Sequence, residues 1–423
     1  MNDLSAKSIK RSKLMYIFEA AFEYLIALLV NGSFLATLTK ELGMSDSLTG
    51  ILSSIISLGC LFQLLSLSIR RTAVKRIVII FSMINQVLFM LLYVIPLTSF
   101  ENQIKIPLFT ALIFSAYLIY NIAHPKKINW LMSLVESNYR GRFTANKEII
   151  SLISGMVFSF GMGTVIDHFS NAGRIRVAFI ISAFVMFVLM VLHSLTMIFA
   201  VEKPLPCDSQ KDLKLTLIEL AKNKHILHIT VVFLLFNIST YISTPFYGTY
   251  QIGELGLNLK FVSAIVICGS VSRILVSRFW GNYADKKSFA VMIEKCFIFL
   301  GLSKICIIFA VPSTGKVMFL LYYILHGIAL GGINSALTNM IFQYIPRETA
   351  ADALAVTQAA AGLTGFLTTL CVSPLISHIQ NNGNTLFAIP IYAQQLVSMM
   401  ALLFTVLAIL YTRCVFIKNT KNA

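Results

Sequence analysis

Two carboxylates, Glu19 and Glu23, lie four residues apart inside the first long apolar stretch of the chain. If that stretch is helical, both share one face, which Asn31 continues. Counted at about 1.5 Å per residue from residue 14, Glu23 lies about 13 Å along the helix. In a membrane-crossing helix, a short carboxylate at that depth cannot reach the headgroups and is a functional candidate. Glu23 is therefore the first candidate for a proton-coupling group, and Glu19 the second, although its position nearer the helix end favours a structural role.

A second group of polar side chains follows helical spacing in a later apolar stretch. Tyr120, His124 and Lys127 lie at positions i, i+4 and i+7, with Asn121 beside them. Lys127 is about 13 Å from the far end of its stretch, which is the depth of Glu23, so we expect these two residues to be partners. The pair can form a protonatable or substrate-binding site, or a structural salt bridge with Lys127 partly snorkelling. The residues alone leave both interpretations open.

Polar residues recur on one helical face in the second half of the chain. Asn237, Thr240 and Tyr241 could line a wet cavity, and Pro245, which follows Thr244, would free a backbone carbonyl there. The candidates for substrate binding up to this point are Asn31, Tyr120, Asn121, His124, Lys127, Asn237, Thr240 and Tyr241.

A later stretch adds His326 and Asn334 to these candidates. His326 could titrate near neutral pH, although a lone histidine on an apolar helix is more often simply hydrogen-bonded. The glycines between the two residues form a G-x-x-x-G pattern, which is typical of close helix packing. Two further cations in apolar stretches, Arg273 and Lys304, are expected near helix ends, where they would snorkel or pair with loop acids.

Membrane-crossing helices are needed to position these residues. The chain is 57% hydrophobic and only 12% charged, whereas a soluble chain carries roughly twice that charged fraction. A helix needs about 20 predominantly apolar residues to cross the hydrocarbon. Twelve such runs are present, at residues 14–39, 48–69, 77–97, 106–135, 149–166, 177–199, 226–250, 261–276, 290–311, 317–345, 353–376 and 386–411.

The basic residues are distributed unevenly between alternate gaps. Of the 34 Lys and Arg, 23 lie on one side of the predicted membrane and six on the other. The positive-inside rule then places both termini in the cytoplasm and requires an even number of helices. A net charge of +16 in a soluble protein would indicate an acidic partner such as nucleic acid. Here the charge lies in short loops between apolar runs, so no nucleic-acid partner is expected.

The runs divide into two sets of six. We predict a cytoplasmic N-terminus at 1–13, a first bundle at 14–199, a cytoplasmic loop at 200–225, a second bundle at 226–411 and a cytoplasmic tail at 412–423. The stretch 213–220 of the central loop could form a short surface helix. Residues 134–166 and 344–376 align faintly at a constant offset that pairs Gly155 with Gly365, as two fused copies would.

One loop carries a resemblance to a known family. The segment Gly-Asn-Tyr-Ala-Asp-Lys-Lys from Gly281 to Lys287 resembles the Gly-x-x-x-Asp-Arg/Lys loop of the major facilitator superfamily, between the second and third helices of a six-helix half. The resemblance implies that Gly281 lets two helices pack closely and that Asp285 accepts hydrogen bonds from a helix N-terminus during gating. Lys286 and Lys287 supply the positive charge of the motif.

Other positions match the same family unevenly. Arg140 and Gly141, at the start of the fifth run, resemble the Arg-Gly pair common at that position, whereas the first-half loop at 70–76 keeps the charge but has neither glycine nor acid. The resemblance implies an all-α membrane protein with twelve helices in two six-helix bundles, and a cavity lined by helices one, four, seven and ten. The fifth helix matches only poorly the glycine-proline motif of the drug–proton antiporters of this family.

Rival functions lack their motifs. The sequence contains no H-E-x-x-H, no acidic metal cluster and no phosphate-binding G-x-x-x-x-G-K-[ST], and no filter loop indicates a channel. The prediction is a non-enzymatic secondary transporter of the cell membrane that moves a small polar solute, a sugar or an amino-acid-like metabolite, by alternating access with proton or other ion coupling. A lipophilic drug exporter is the alternative, and a receptor or membrane enzyme is a remote one. We expect a monomer without cofactor or metal, and the seven cysteines are expected to be free thiols.

Overall fold

The computed structural model describes residues 6–62, 74–135, 140–202, 222–344, 347–386 and 389–417, and these are helical apart from one short hairpin and the connections. The longer helices in chain order are α1 (Ala6–Leu29), α2 (Gly32–Glu41), α3 (Asp46–Phe62), α4 (Val74–Val94), α5 (Asn102–Met132), α6 (Arg140–Asn171), α7 (Ile175–Phe199), α8 (Lys224–Tyr241), α9 (Leu259–Lys286), α10 (Phe289–Ile308), α11 (Gly315–Tyr344), α12 (Arg347–Asn381) and α13 (Ala393–Thr412). Strands β1 (Thr385–Leu386) and β2 (Ile389–Pro390) pair antiparallel. The possible surface helix at 213–220 lies outside the described residues.

Within the described residues, nine helices are long and apolar enough to cross a membrane, or ten if the bent pair α1 and α2 forms one span. Two predicted runs do not pass that test. One corresponds to α3, whose helix is described over 17 residues only. The other corresponds to α10, which carries three charged residues, Glu294, Lys295 and Lys304. The family-level expectation of an all-helical, multi-span fold is confirmed.

The first span is broken, which the sequence did not predict. Helix α1 ends at Leu29, and α2 begins at Gly32 after a bend of 41°. Gly32 has a φ of +53°, a left-handed conformation that costs glycine little. The Asn31 side chain accepts a hydrogen bond from the Gly32 amide and caps α2. The expectation that Asn31 continues the carboxylate face of one long helix is therefore wrong.

The chain forms two compact units. Unit 1 comprises Met1–Met44, Phe62–Asp208 and Asn258–Ser263, and unit 2 comprises Ser45–Leu61, Ser209–Leu257 and Ala264–Ala423. In unit 1, α1 packs against α6 and α7, and α4 packs against α5 and α7. In unit 2, α10 packs against α11 and α13, and α8 packs against α12 and α13. Each unit thus presents several helices around its own apolar core.

Helix α7 shows how one span divides between lipid and protein. Its exposed apolar side chains recur every three or four residues, at Ile180, Phe184, Phe187, Val191, Leu195 and Ile198. An apolar stripe of this kind suits contact with lipid. The opposite face is buried and carries Met186, Met190, Met197 and one ionisable residue, His193. The helix therefore brings a histidine into the interior of unit 1.

The two glycines paired by the sequence offset have the same use. A side chain at Gly155 of α6 would collide with Tyr24 of α1, and one at Gly365 of α12 would collide with Tyr241 of α8. In each unit a glycine thus admits a tyrosine from a neighbouring helix.

Candidate functional site

A buried ion-pair network joins α1 and α5. Lys127 is 4% exposed and Glu19 is 2% exposed. The Lys127 ammonium lies 2.8 Å from Glu19 Oε1 and also contacts the Glu23 carboxylate. The expected partnership of Glu23 and Lys127 is present, and Glu19 is part of it. Although Glu19 is nearer the start of its apolar run than Glu23, it is the more deeply buried of the two carboxylates.

His193 of α7 completes this network and was missed from the sequence. Its Nε2 lies 3.2 Å from Glu19 Oε1 and 3.5 Å from Glu23 Oε2. Its Nδ1 lies 2.9 Å from Gln86 Nε2, whose amide can only donate. The proton of the neutral imidazole is then on Nε2 and points at the carboxylates. We call Glu19, Glu23, Lys127 and His193 the charged cluster.

Glu23 forms the accessible edge of the charged cluster. Its side chain is 21% exposed, whereas that of Glu19 is 2% exposed. The Tyr120 hydroxyl donates to Glu23 Oε1 over 3.2 Å, and His124 Nδ1 lies 4.0 Å from the same oxygen. The rings of Tyr120 and His124 are 4.9 Å apart. Three of the predicted substrate-binding residues, Tyr120, His124 and Lys127, therefore surround the predicted proton-coupling carboxylate.

The cluster contains atoms that could ligate a cation. One ligand atom each from Glu19, Glu23 and His193 lie within 4.8 Å of one another. Carboxylate oxygens and an imidazole nitrogen suit several divalent metals. However, the Lys127 ammonium already contacts both carboxylates, so a metal would have to displace it. Exchange of a proton within the cluster needs no such displacement.

Asn121 has a local role in the described contacts of unit 1. It is buried, and its amide donates to the Tyr117 carbonyl one turn earlier in α5, over 2.8 Å. Asn31 lies at the break between α1 and α2, where its side chain caps α2.

Unit 2 holds a second polar centre, around Lys304 of α10. The side chain is fully buried, so the expectation that Lys304 snorkels at a helix end is wrong. Its Nζ donates to Ser243 Oγ over 3.0 Å and lies 3.4 Å from Thr244 Oγ1. These hydroxyls are available because α8 ends at Tyr241 and a short helical turn containing Pro245 follows. The break in the backbone gives the lysine its neighbours.

Aromatic rings enclose the same lysine. The Tyr247 and Tyr322 ring centres lie 5.3 Å and 5.9 Å from Lys304 Nζ. His326 stacks on Tyr322 at 5.1 Å, and its Nδ1 is buried without a hydrogen-bond partner among the described residues. We call Lys304, Ser243, Thr244, Tyr247, Tyr322 and His326 the lysine cluster.

Helices α8 and α11 carry the other candidates of the second half. The Asn237 amide donates to the Phe233 carbonyl of its own helix. Thr240 Oγ1 is buried without a partner among the described residues. Tyr241 packs against Gly365, and Asn334 is exposed.

The gating motif differs from its expected packing. A side chain at Gly281 would meet nothing within 4 Å among the described residues, so close helix packing does not explain this glycine. Asp285, inside the last turns of α9, is exposed and forms no hydrogen bond with a described residue.

The charged ends of the motif lie at helix boundaries. Lys286 is the last residue of α9, and the Lys287 amide donates to the Tyr283 carbonyl. Arg140 and Gly141 open α6, and the surroundings of their side chains lie outside what the structure describes. A gating role for these residues stays a prediction.

Comparison with known proteins places this architecture. The model of the Major Facilitator Superfamily matches residues 16–369. Among solved structures, a variant of the nucleoside transporter NupG is similar with a TM-score of 0.75 and 13% identity, covering 96% of this chain and 100% of that one. The POT family transporter PepTSo has a TM-score of 0.68 and 12% identity over 97% and 99% of the two chains. A D-xylose–proton symporter has a TM-score of 0.65 and 13% identity over 94% and 97%. No curated protein matches the sequence.

Proposed function

We propose that this chain, which belongs to the major facilitator superfamily and is a non-enzymatic, multi-pass secondary transporter, moves a small polar solute by alternating access and couples that movement to protons. The solute would be a sugar or an amino-acid-like metabolite. The proposal places the protein in the cell membrane with both termini in the cytoplasm, as the distribution of basic residues predicts.

The charge balance of the charged cluster carries the proposal. Two carboxylates face one lysine and one histidine, and the histidine is neutral or positively charged according to its protonation. With a neutral His193 the cluster holds a net charge of about −1, which is costly in a low-dielectric interior. One added proton makes it neutral. A buried group of this composition is therefore suited to binding and releasing one proton.

Glu23 is the group that can change its protonation at the smallest structural cost. It is the more exposed carboxylate, so protons and solute can reach it first. When Glu23 is protonated, Lys127 keeps Glu19 at 2.8 Å and is not left as an unpaired buried charge. Protonation of Glu23 would release its contact with Lys127, while α1 and α5 stay joined through Glu19.

The surroundings of Glu23 favour a polar solute over a lipophilic one. Tyr120 and His124 offer a hydroxyl and an imidazole beside the carboxylate. Such groups give directional hydrogen bonds, which orient a polar solute in its site. The solved transporters of similar fold are a nucleoside transporter, a POT family transporter and a D-xylose–proton symporter. At these identities they support the fold alone.

The solute class can be tested by thermal stabilisation of the purified, full-length protein in detergent. The panel contains sugars, nucleosides, amino acids, dipeptides and lipophilic cations. A compound that binds only the folded state raises the apparent Tm by mass action. We expect stabilisation by a polar metabolite, with an effect that changes with pH. Stabilisation by lipophilic cations alone would instead support drug export.

Proton coupling can be tested in proteoliposomes with the stabilising metabolite. We expect an inward proton gradient to drive its accumulation by the wild type. Glu23→Gln should lose this accumulation but retain exchange of labelled for unlabelled solute. Glu294→Gln is a matched control, because Glu294 is a buried carboxylate of α10 beside Arg413, outside the charged cluster. Accumulation by Glu23→Gln equal to that of the wild type would refute the coupling role.

A further inference from the structure

We propose that the lysine cluster of unit 2 is an anion-binding site that receives the carboxylate of the transported solute. The inference rests on the proposed function and narrows it, because it selects an amino-acid-like or other carboxylated metabolite over a neutral sugar.

The first observation is a buried cation with no acidic partner. Lys304 is fully buried, and no carboxylate of the described residues lies within salt-bridge distance of its Nζ. A buried ammonium without a counter-charge is unfavourable unless a ligand supplies that charge.

The described acids of unit 2 are engaged elsewhere or exposed. Asp46 accepts hydrogen bonds from Gln380 and Gln394. Glu254 accepts from Gln380 and from Asn384. Glu294 lies 3.9 Å from Arg413, and Asp285 is exposed. Among the described residues of unit 2, no acid is therefore placed to balance a protonated Lys304, and an anionic ligand would supply that charge.

The second observation is an unused hydrogen-bonding capacity. An ammonium has three N–H groups. The Ser243 and Thr244 hydroxyls lie near two of them, at 3.0 Å and 3.4 Å, so one N–H has no partner among the described contacts. His326 Nδ1, stacked on the Tyr322 ring that Lys304 also faces, is buried and unpartnered. A carboxylate oxygen can accept a hydrogen bond from either group.

The composition of the lysine cluster favours a ligand with a single negative charge. Lys304 supplies at most one positive charge, and the other members of the cluster are hydroxyls, tyrosine rings and an imidazole. A single carboxylate balances one lysine, whereas a phosphate or a dicarboxylate would bring an excess of buried negative charge. The rings of Tyr247 and Tyr322 exclude water from the lysine, which strengthens its attraction for an anion.

The experiment compares carboxylates with neutral analogues of the same shape. The probes are N-acetyl-L-alanine with N-acetyl-L-alaninol, lactate with 1,2-propanediol, and glucuronate with glucose, each titrated into purified full-length protein in chloride buffer. The readout is the shift of Tm with concentration. We expect at least one carboxylate, and none of the neutral analogues, to stabilise the wild type. Absence of any preference for a carboxylate would overturn the proposal.

The residue assignment is tested with Lys304→Met and a matched lysine of the same helix. Methionine keeps most of the length and apolar contact of the lysine stem. We expect Lys304→Met to weaken carboxylate binding at least tenfold, while Lys295→Met, whose side chain is 45% exposed, binds as the wild type does. Equal binding by wild type and Lys304→Met would refute the site. If Lys304→Met does not fold, Lys304→Gln, which retains a donor for Ser243, takes its place with the same expected result.

Failure of this inference can be told apart from failure of the proposed function. Glu23→Gln should still prefer the carboxylate probe in the binding assay, although it loses proton-driven accumulation. A protein that accumulates a neutral sugar with protons and ignores every carboxylate would retain the proposed function and overturn the lysine cluster. A protein that binds carboxylates through Lys304 without proton coupling would support the lysine cluster and overturn the proton coupling of the proposed function.

Discussion

Lys127 has two carboxylate partners, and this redundancy determines what each substitution should do. In Lys127→Met, Glu19 and Glu23 would face each other inside unit 1 without their cation. Removing one partner of a buried ion pair costs about 3–5 kcal/mol. In Glu23→Gln, Lys127 keeps Glu19 and the amide can still accept a hydrogen bond, so we expect a loss of about 1 kcal/mol.

Thermal unfolding in detergent measures this difference directly. We expect a large fall of Tm for Lys127→Met and a small one for Glu23→Gln. The double variant Lys127→Met with Glu23→Gln should recover part of the loss, because one buried carboxylate is then neutral. If Glu23→Gln unfolds as readily as Lys127→Met, Glu23 is a structural ion-pair partner and the coupling role is wrong.

For single residues, the sequence indicated how deep a side chain lies along its helix but not which neighbours it faces. Glu23 and Lys127 could be paired because equal distances from helix ends place side chains at equal depth. His193 was missed since it stands alone in an apolar run. Its signal was the helical periodicity of α7, which puts it opposite the lipid-facing stripe. Lys304 was misjudged because distance from a helix end says nothing about a broken neighbouring helix that offers Ser243.

Helices α9 and α11 approach each other through glycines. A side chain at Gly269 of α9 would lie 2.7 Å from the Tyr323 carbonyl oxygen, and one at Gly327 of α11 would collide with the Gly269 backbone. Backbone atoms cannot rotate away as a side chain can, so the two helices would have to separate. The G-x-x-x-G of α11 thus does what its pattern predicts at Gly327.

A pair of substitutions in the same helix tests this contact. We expect Gly269→Ala to destabilise unit 2 by about 1–3 kcal/mol through overpacking. Gly281→Ala, also in α9 but open to space, should be neutral or stabilise by up to about 1 kcal/mol because alanine favours a helix. Thermal unfolding of both variants is the measurement. A fall of Tm for Gly281→Ala as large as that for Gly269→Ala would contradict the open surroundings of Gly281.

The existence of the helices was predictable from the sequence, whereas their interruptions were predictable only in part. Apolar length identifies a span, but the break at Asn31 and Gly32 depends on a cap and one left-handed residue within an otherwise apolar run. The break after Tyr241 was suggested by Pro245, since proline ends a regular helix. The same short turn then supplies the hydroxyls of the lysine cluster, which hydropathy cannot reveal.

The uneven distribution of basic residues makes a prediction for the whole molecule. With 23 Lys and Arg on one side and six on the other, both termini should be cytoplasmic. In a bacterial host, a green fluorescent protein fused after Ala423 should fluoresce. Alkaline phosphatase fused after Gly173, in the turn between α6 and α7, should be active because that turn is predicted to lie outside. A dark fluorescent-protein fusion together with an inactive phosphatase fusion would indicate the opposite topology.

Membership of the family establishes that the protein is a transporter. The charged cluster is the basis for proposing that transport is coupled to protons. The most direct test of that claim is the movement of protons during transport. Wild-type proteoliposomes containing the pH-sensitive dye pyranine are given the stabilising metabolite without an imposed gradient. We predict that the lumen of wild-type vesicles acidifies as the solute enters. Glu23→Gln vesicles preloaded with unlabelled solute should exchange it for labelled solute without acidification. Entry of solute into wild-type vesicles at constant internal pH would contradict the account.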